Sequence, residues 1–246
     1  MSNIAFVAAR TGSERMPGKV LTELAGIPSL VHIFNILRAT NSIDDFAVLT
    51  TSLSEDDAIE DICKRNSVNV FRGSVHDVLD RFRIAAEILK PERIIRVTGD
   101  DPLMDPELID KVVDEHCAGD YDYSSNMVNR TYPRGMDTEV IEYKALEKSW
   151  RTTSDKDDRE HVTLYIRRHP ELFKIHSVES EGKSYTDLRL CLDTEEDSEL
   201  ITKIYSELYN DRPIKLDEVI ELLDKNPDLK KINSGIKQKP VKGQTF

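Results

Sequence analysis

Four times in the first 117 residues, a short apolar run gives way to a stretch with apolar residues at helical spacing. Ile4 to Ala9, Phe46 to Thr51, Val68 to Phe71 and Arg93 to Thr98 have the length and composition of strands. Between them, Leu30, Ile33, Phe34 and Leu37 fall at i, i+3, i+4 and i+7, which puts them on one face of a helix. Ser54-Glu55-Asp56-Asp57 reads as the next helix start, with Ser54 as cap, and the helix carries Ile59, Ile62 and Cys63 inward. A third helix is expected from about His76 to Leu89. A fourth runs from Pro106 to Cys117, with Asp105 as its cap and Pro106 at its first position. Apolar strands alternating with crossover helices imply a parallel twisted sheet. The expected fold is therefore a three-layer α/β/α sandwich with a mainly parallel sheet. The 246 residues suffice for a single domain, placed at residues 1–232, with 233–246 as a Lys-rich mobile tail.

The first strand runs straight into the loop A-A-R-T-G-S-E-R-M-P-G-K, which carries Gly12, Pro17 and Gly18 together with Arg10, Arg15 and Lys19. Glycine lets backbone N–H groups come close to a phosphate, and guanidinium and ammonium groups neutralise its oxygens. A strand end followed by a Gly-bearing loop with three cations reads as a polyphosphate grip. It is neither a P-loop, since Val20 follows Lys19, nor a G-x-G-x-x-G dinucleotide loop.

The fourth strand ends in Gly99-Asp100-Asp101-Pro102. Open α/β sheets bind ligands at the carboxyl ends of their strands. A carboxylate there can face a triphosphate only through a cation, and magnesium, which combines a few carboxylates with phosphate oxygens and water, is the natural choice. Asp77 and Arg81 lie four residues apart on the third helix and are expected on one side of it. Further strands are expected at Tyr121 to Ser125, Thr138 to Tyr143, Leu172 to Val178 and Leu188 to Leu192. The aperiodic loop Asn126 to Asp137 is polar and holds two arginines, the pattern of a functional loop. Trp150 is expected in the core. Helices are expected from Lys144 to Arg151, up to Arg168, and from Leu216 to Leu223, and one starts at Thr194 as cap with Asp197 at the third position.

The net charge of -12 argues against non-specific nucleic-acid binding and against an anionic membrane surface. No run approaches the roughly 18 apolar residues of a membrane span. Cys63, Cys117 and Cys191 are odd in number and far apart, which fits neither a disulfide framework nor a zinc site, so the expected compartment is the reducing cytoplasm.

From about residue 3 to 210, these stretches form an ordered set that resembles the cytidylyltransferases of acidic-sugar activation, the family of the CMP-Kdo and CMP-sialic acid synthetases. The first loop is similar to their A-R-x-x-S-x-R-x-P-G-K. G-D-D-P resembles their G-D-x-P, and L-D-T-x-E-D resembles V-D-T-x-E-D. N-x-x-x-R-T-Y-P-x-G-x-D and R-E-H-V-T-x-Y-I are similar to the spore-coat polysaccharide protein F branch. The resemblance implies a nucleotide-diphospho-sugar transferase-like, Rossmann-like fold and transfer of CMP from CTP to an anionic acceptor with release of pyrophosphate. It implies Mg2+ on Asp100 and Asp193, and nucleotide contacts from Ala8, Ala9, Arg10, Thr11, Gly12, Ser13, Arg15, Lys19, Ser74, Arg81 and Asp100. Arg10, Arg15 and Lys19 are cast with the two aspartates as catalytic groups. Asn126, Arg130, Tyr132, Arg134, Asp137, Glu160 and His161 are cast on the acceptor side, within a subregion of about 120–185. A homodimer is expected by the same likeness. Two alternatives stay open: a nucleotidylyltransferase using another NTP with a sugar phosphate, and a non-catalytic nucleotide-binding module on the same fold.

Overall fold

The computed structural model describes residues 2–237. In chain order its elements are β1 (Asn3–Ala8), β2 (Glu23–Leu24), β3 (Ile27–Pro28), α1 (Ser29–Ala39), β4 (Asp45–Thr51), α2 (Asp57–Arg65), β5 (Asn69–Gly73), α3 (Val78–Leu89), β6 (Arg93–Thr98) and α4 (Pro106–Cys117). There follow β7 (Tyr123–Ser125), β8 (Glu139–Glu142), α5 (Tyr143–Thr152), α6 (Lys156–His161), α7 (Leu164–Arg168), β9 (Ile175–Ser177), α8 (Glu195–Leu208), α9 (Leu216–Lys225) and α10 (Pro227–Lys231).

The main sheet has the order β5-β4-β1-β6-β8-β7-β9, and β8 alone runs against its neighbours. The mainly parallel sandwich expected from the alternation is thus the observed fold. Successive side chains of each strand point to opposite faces. Val7, Val48, Ile95 and Val97 pack under α1, α2, α4, α8 and α9. Ile4, Phe6, Leu49 and Ile94 pack under α3, α5 and α7, where Phe6 meets Phe82 edge-on at 5.6 Å. Each such aliphatic or aromatic side chain contributes roughly 1.5–3 kcal/mol by leaving water. From β1 the chain steps outward through β4 and β5, then returns across β1 to build β6. The topology therefore reverses between β1 and β6, where doubly wound sheets open a crevice for ligands.

Several local expectations are corrected. Leu188 to Leu192 is not a strand; it makes a single isolated bridge, Arg134 with Arg189, because its neighbour is an irregular loop rather than a sheet edge. Ser54 gives α2 no side-chain cap, and a 3₁₀ turn, Ser54–Asp56, precedes the helix. The buried Asp56 carboxylate accepts from Thr11 and Thr51 instead. Asp77 and Arg81 do not pair: Asp77 caps α3 through Asp80 N and meets Arg159 at 3.3 Å, while Arg81 turns inward. Trp150 is half-buried beneath Arg83 and Arg159, whose guanidinium carbons lie 4.3 and 5.7 Å from its ring. The helix expected after Thr163 is α7, which ends at Arg168 as expected; a further short helix not expected from sequence, α6, precedes it and is separated from it at Val162, which has φ 56. Asn233, assigned by sequence to the tail, is buried and donates to Arg189 O and Asp197 Oδ1 at 2.9 and 2.8 Å. Packing therefore continues past residue 232, and the remainder of that tail, 238–246, lies outside the described residues. Among the described residues, no helix is long and apolar enough to cross a membrane.

Candidate active site

The ends of β1 and β6 touch. Gly99 N donates to Ala8 O at 2.9 Å, and a Cβ on Gly99 would fall 2.9 Å from Ala9 Cβ. Only glycine permits this approach, and it brings Asp100 to the edge of the first loop. At the other end of that loop, Gly18 adopts φ 73, a conformation costly for other residues, and turns the chain into a 3₁₀ turn that begins with Lys19. A third segment then arrives. Leu190 N donates to Arg134 O at 2.7 Å and Leu192 N to Asp100 O at 2.8 Å, which puts Asp193 beside Asp100.

The side chains meet at Lys19. Its ammonium donates to Asp100 and, at 2.9 Å, to Asp193 Oδ1. Arg15 donates to the same Asp193, and Arg189 Nη2 reaches it at 2.9 Å. Arg189 is itself held by both oxygens of the fully buried Asp197 at 3.0 Å. Burial alone would lower the Lys19 ammonium, but the charges and hydrogen bonds of Asp100 and Asp193 outweigh it and raise it above its ordinary value. Burial would raise the Asp193 carboxyl, yet Lys19, Arg15 and Arg189 hold it below the usual range. Asp101 is different: burial and the charges of Asp100 and Asp137 push it well up, against the opposing hydrogen bond from Thr98 Oγ1 and the charge of Lys19.

Two carboxylates converging on one cationic point fit a divalent ion completed by phosphate oxygens and water. Among the described residues, no third His, Cys, Asp or Glu joins them as a potential ligand, so such an ion would depend on the substrate for the rest of its shell.

Around this cluster lies a cavity of about 700 Å³. Of the residues expected to contact nucleotide, Ala8, Ala9, Arg10, Ser13, Arg15, Lys19, Arg81 and Asp100 line it. Arg81 is buried and donates to Leu49 O at 3.2 Å, while its Nε has no hydrogen-bond partner. Burial, with help from the charge of Arg10, lowers its guanidinium to about 10. Thr11, Gly12 and Ser74 are not on the wall. Thr11 N and Oγ1 anchor the loop to Asp56, and the amides of Ser13 and Gly18 both donate to Thr11 O, so the loop grips through its cations more than through free amides. Ser74 Oγ accepts from Asp77 N at 3.0 Å, ordering the entry to α3.

Of the expected acceptor residues, only Glu160 and His161 line the cavity, and Arg10 approaches Glu160 at 3.8 Å. Burial lowers the His161 imidazole; Arg96 and Arg167 reinforce this while Glu160 and Asp157 oppose it. Asn126 is buried, donating to Met136 O and accepting from Thr138 N, which stitches its loop to the strand that follows. Tyr132 packs in the core and Arg130 is locked to both oxygens of Asp137. Arg134 is not on the wall either; its main chain pairs with Leu188 and Leu190. Sequence reasoning missed Arg96 and Asp157 on the wall, and Arg189 behind it. The signal for the two arginines was a charge in an apolar run, I-I-R-V and L-R-L.

Comparison with known proteins gives these features a context. The family model "Cytidylyltransferase" matches residues 4–239. An uncharacterized protein of Methanocaldococcus jannaschii is 40% identical over 242 residues, covering 97% of each chain. The spore coat polysaccharide biosynthesis protein SpsF of Bacillus subtilis is 37% identical over 237 residues, covering 93% of this chain and 97% of its own. A 3-deoxy-manno-octulosonate cytidylyltransferase of Hydrogenovibrio crunogenus is 30% identical over 149 residues, 58% of each chain. The solved structure of a cytidylyltransferase from Leptospira borgpetersenii superposes with a TM-score of 0.89 at 31% identity, covering 100% of this chain and 99% of that one.

Proposed function

This chain belongs to the cytidylyltransferase family, and we propose that it transfers CMP from CTP to an anionic sugar or sugar-acid-like acceptor, releasing pyrophosphate, in surface polysaccharide or glycoconjugate biosynthesis. The observation that carries this reading is the meeting of Lys19, Asp100 and Asp193 beside the cavity at the β1/β6 switch point. The names of two relatives, a spore coat polysaccharide protein and a sugar-acid cytidylyltransferase, support the acceptor class.

Arg10, Arg15 and Lys19 neutralise the triphosphate and then the departing pyrophosphate. Ala8, Ala9 and Ser13 border the nucleotide, and Arg81, a buried guanidinium on the α3 wall, meets its nucleoside part. Asp100 and Asp193 would hold magnesium, which when bound would supply Lewis-acid neutralisation at the α-phosphate. The acceptor enters beside α6, and its hydroxyl oxygen attacks the α-phosphorus in line with the leaving pyrophosphate. Burial favours the neutral form of His161, which can take the proton that the hydroxyl gives up. CTP as substrate points to the cytoplasm, and a homodimer is the assembly we assign, to be checked by light scattering.

Calorimetric titration of the four NTPs, with and without magnesium, on wild type and Asp100→Ala tests the reading. CTP alone should bind well, with a magnesium dependence that the variant loses. Equal or better binding of another NTP would sink the base assignment.

A further inference from the structure

The cations that hold Asp100 and Asp193 together are of two kinds. Arg189 is anchored from behind: its Nε donates to both oxygens of the fully buried Asp197 at 3.0 Å, and its Nη2 reaches forward to Asp193. Lys19 has no such anchor. Among the described residues, its ammonium donates to Asp100 and Asp193 and to nothing else. It stands at the end of a flexible four-carbon stem, rooted in the 3₁₀ turn that follows Gly18. Arg189 is thus fixed in place, whereas the Lys19 ammonium is free to swing into the cavity that its own side chain lines.

The position of that ammonium has a consequence for metal binding. It is bonded at once to Asp100 Oδ2 and Asp193 Oδ1, the oxygens through which the two carboxylates face each other. An ammonium and a divalent cation cannot both lie against these oxygens without direct repulsion. The side chains of Lys19, Asp100 and Asp193 are only 14, 24 and 15% exposed, so water screens that repulsion poorly. The charges point the same way. Lys19 and Arg15 balance Asp100 and Asp193, and Arg189 is balanced by Asp197. A free divalent cation therefore meets a neutral cluster, although its affinity grows with the uncompensated charge of its ligands.

A triphosphate shifts this balance. It brings several negative charges into the same cavity, and a lysine ammonium binds phosphate oxygens readily as a point charge. Once the ammonium turns to phosphate, Asp100 loses its side-chain partner, while Asp193 is still oriented by Arg189. One carboxylate is released and the other stays aimed.

We propose that Lys19 is a resident counter-ion that shuts the Asp100–Asp193 pair to free divalent cations and yields it only when nucleotide phosphate takes over the ammonium, so that metal and nucleotide are admitted together. This rests on the cytidylyltransferase reading and adds to it an order of binding: the ion never loads first.

The test uses Mn2+ as probe and water-proton relaxation as readout. Slow tumbling of protein-bound Mn2+ enhances relaxation beyond that of the free ion or of its complex with free CTP. Wild type should show little enhancement with Mn2+ alone and a clear one once CTP is added. Lys19→Met, which keeps the length and removes the charge, should bind Mn2+ without nucleotide about 10- to 100-fold more tightly than wild type, the worth of hydrogen bonds between charged groups. Lys19→Arg should stay shut. The gain should vanish in the double variant Lys19→Met with Asp100→Asn, which places the ion on this pair. Lys19→Gln replaces Lys19→Met should the latter fail to fold by thermal melting. Equal Mn2+ affinity in wild type and Lys19→Met, or a gain that survives Asp100→Asn, would overturn the proposal. So would a wild type that binds CTP by calorimetry yet shows no added enhancement; each of these leaves the cytidylyltransferase reading standing. Enhancement with another NTP and not with CTP would sink the base assignment and support the counter-ion role. A wild type that binds no NTP sinks both.

Discussion

The amide of Leu192 donates to the carbonyl of Asp100 at 2.8 Å, so the residue that follows, Asp193, reaches the same ammonium that Asp100 holds. Two acidic residues distant in sequence are thereby registered by one main-chain bond, and their charges are balanced by Lys19, Arg15 and Arg189.

That balance predicts opposite effects on binding and turnover. Asp193→Asn removes a negative charge next to the triphosphate site, so the Kd for CTP without magnesium should tighten. It also removes one of the two carboxylates assigned to the ion, and kcat should fall by about 10²–10³-fold. Calorimetry and pyrophosphate release measure the two; weaker metal-free binding together with unimpaired turnover would contradict the assignment.

Gly73 makes room for Arg81. An added Cβ would lie 2.7 Å from Arg81 Cγ, closer than such atoms approach. Gly73→Ala should lower stability by about 1–3 kcal/mol, the usual cost of overpacking. It should also weaken CTP binding on the order of tenfold, a shift of ~1.4 kcal/mol. Loss of stability with unchanged CTP affinity would remove Arg81 from the nucleoside contacts.

Acid should destabilise the fold through its buried histidines. Burial lowers His32, His116 and His161 below their ordinary value of 6.5, opposed at His32 by its bond to Leu24 O and at His116 by Glu142. In the unfolded chain each titrates near 6.5, so in the window below that value the unfolded state binds more protons than the native one. Stability is then full above about pH 7 and falls as pH drops through 6.5, levelling only below the native values. Each such proton contributes a slope of ~1.4 kcal/mol per pH unit inside the window. Urea midpoints at pH 7.5 and 5.5 should differ in wild type, and less in His32→Gln. Equal midpoints in wild type would refute the account.

The three thiols should differ in reactivity. Cys117 is exposed, whereas burial pushes the Cys63 thiol up to about 12 and the Cys191 thiol well above its usual value. A thiolate is the reactive form, so alkylation of the native protein should modify Cys117 first, with Cys63 modified only after unfolding. Mass spectrometry of the labelled peptides reads this directly, and early labelling of Cys63 would count against its burial.

The amino-acid sequence by itself determined the elements and their layering. Strand and helix periods are local properties, and β6 and α4 have the very limits that the apolar runs and the Asp105 cap mark out. Thr194 likewise caps α8 through Asp197 N, as its spacing implies. The cationic loop and the G-D-D-P turn were legible because they directly follow apolar runs, so their place at strand ends is fixed by chain order. What the sequence could not decide was which charge meets which. Ser74 was cast with Arg81 toward the nucleotide, but only Arg81 lines the cavity, and Asp77, spaced to pair with Arg81, meets Arg159 instead; Arg130 was cast toward an acceptor and is spent on Asp137. Leu188 to Leu192 alternates like a strand but finds only a loop beside it. Arg96 and Arg189 looked like interruptions in apolar runs until Glu139, Asp193 and Asp197 came within bonding distance. Ion pairs and hydrogen bonds act over a few ångströms in space and take no account of separation along the chain. Only the folded molecule, by closing the sheet between β1 and β6, could choose their partners.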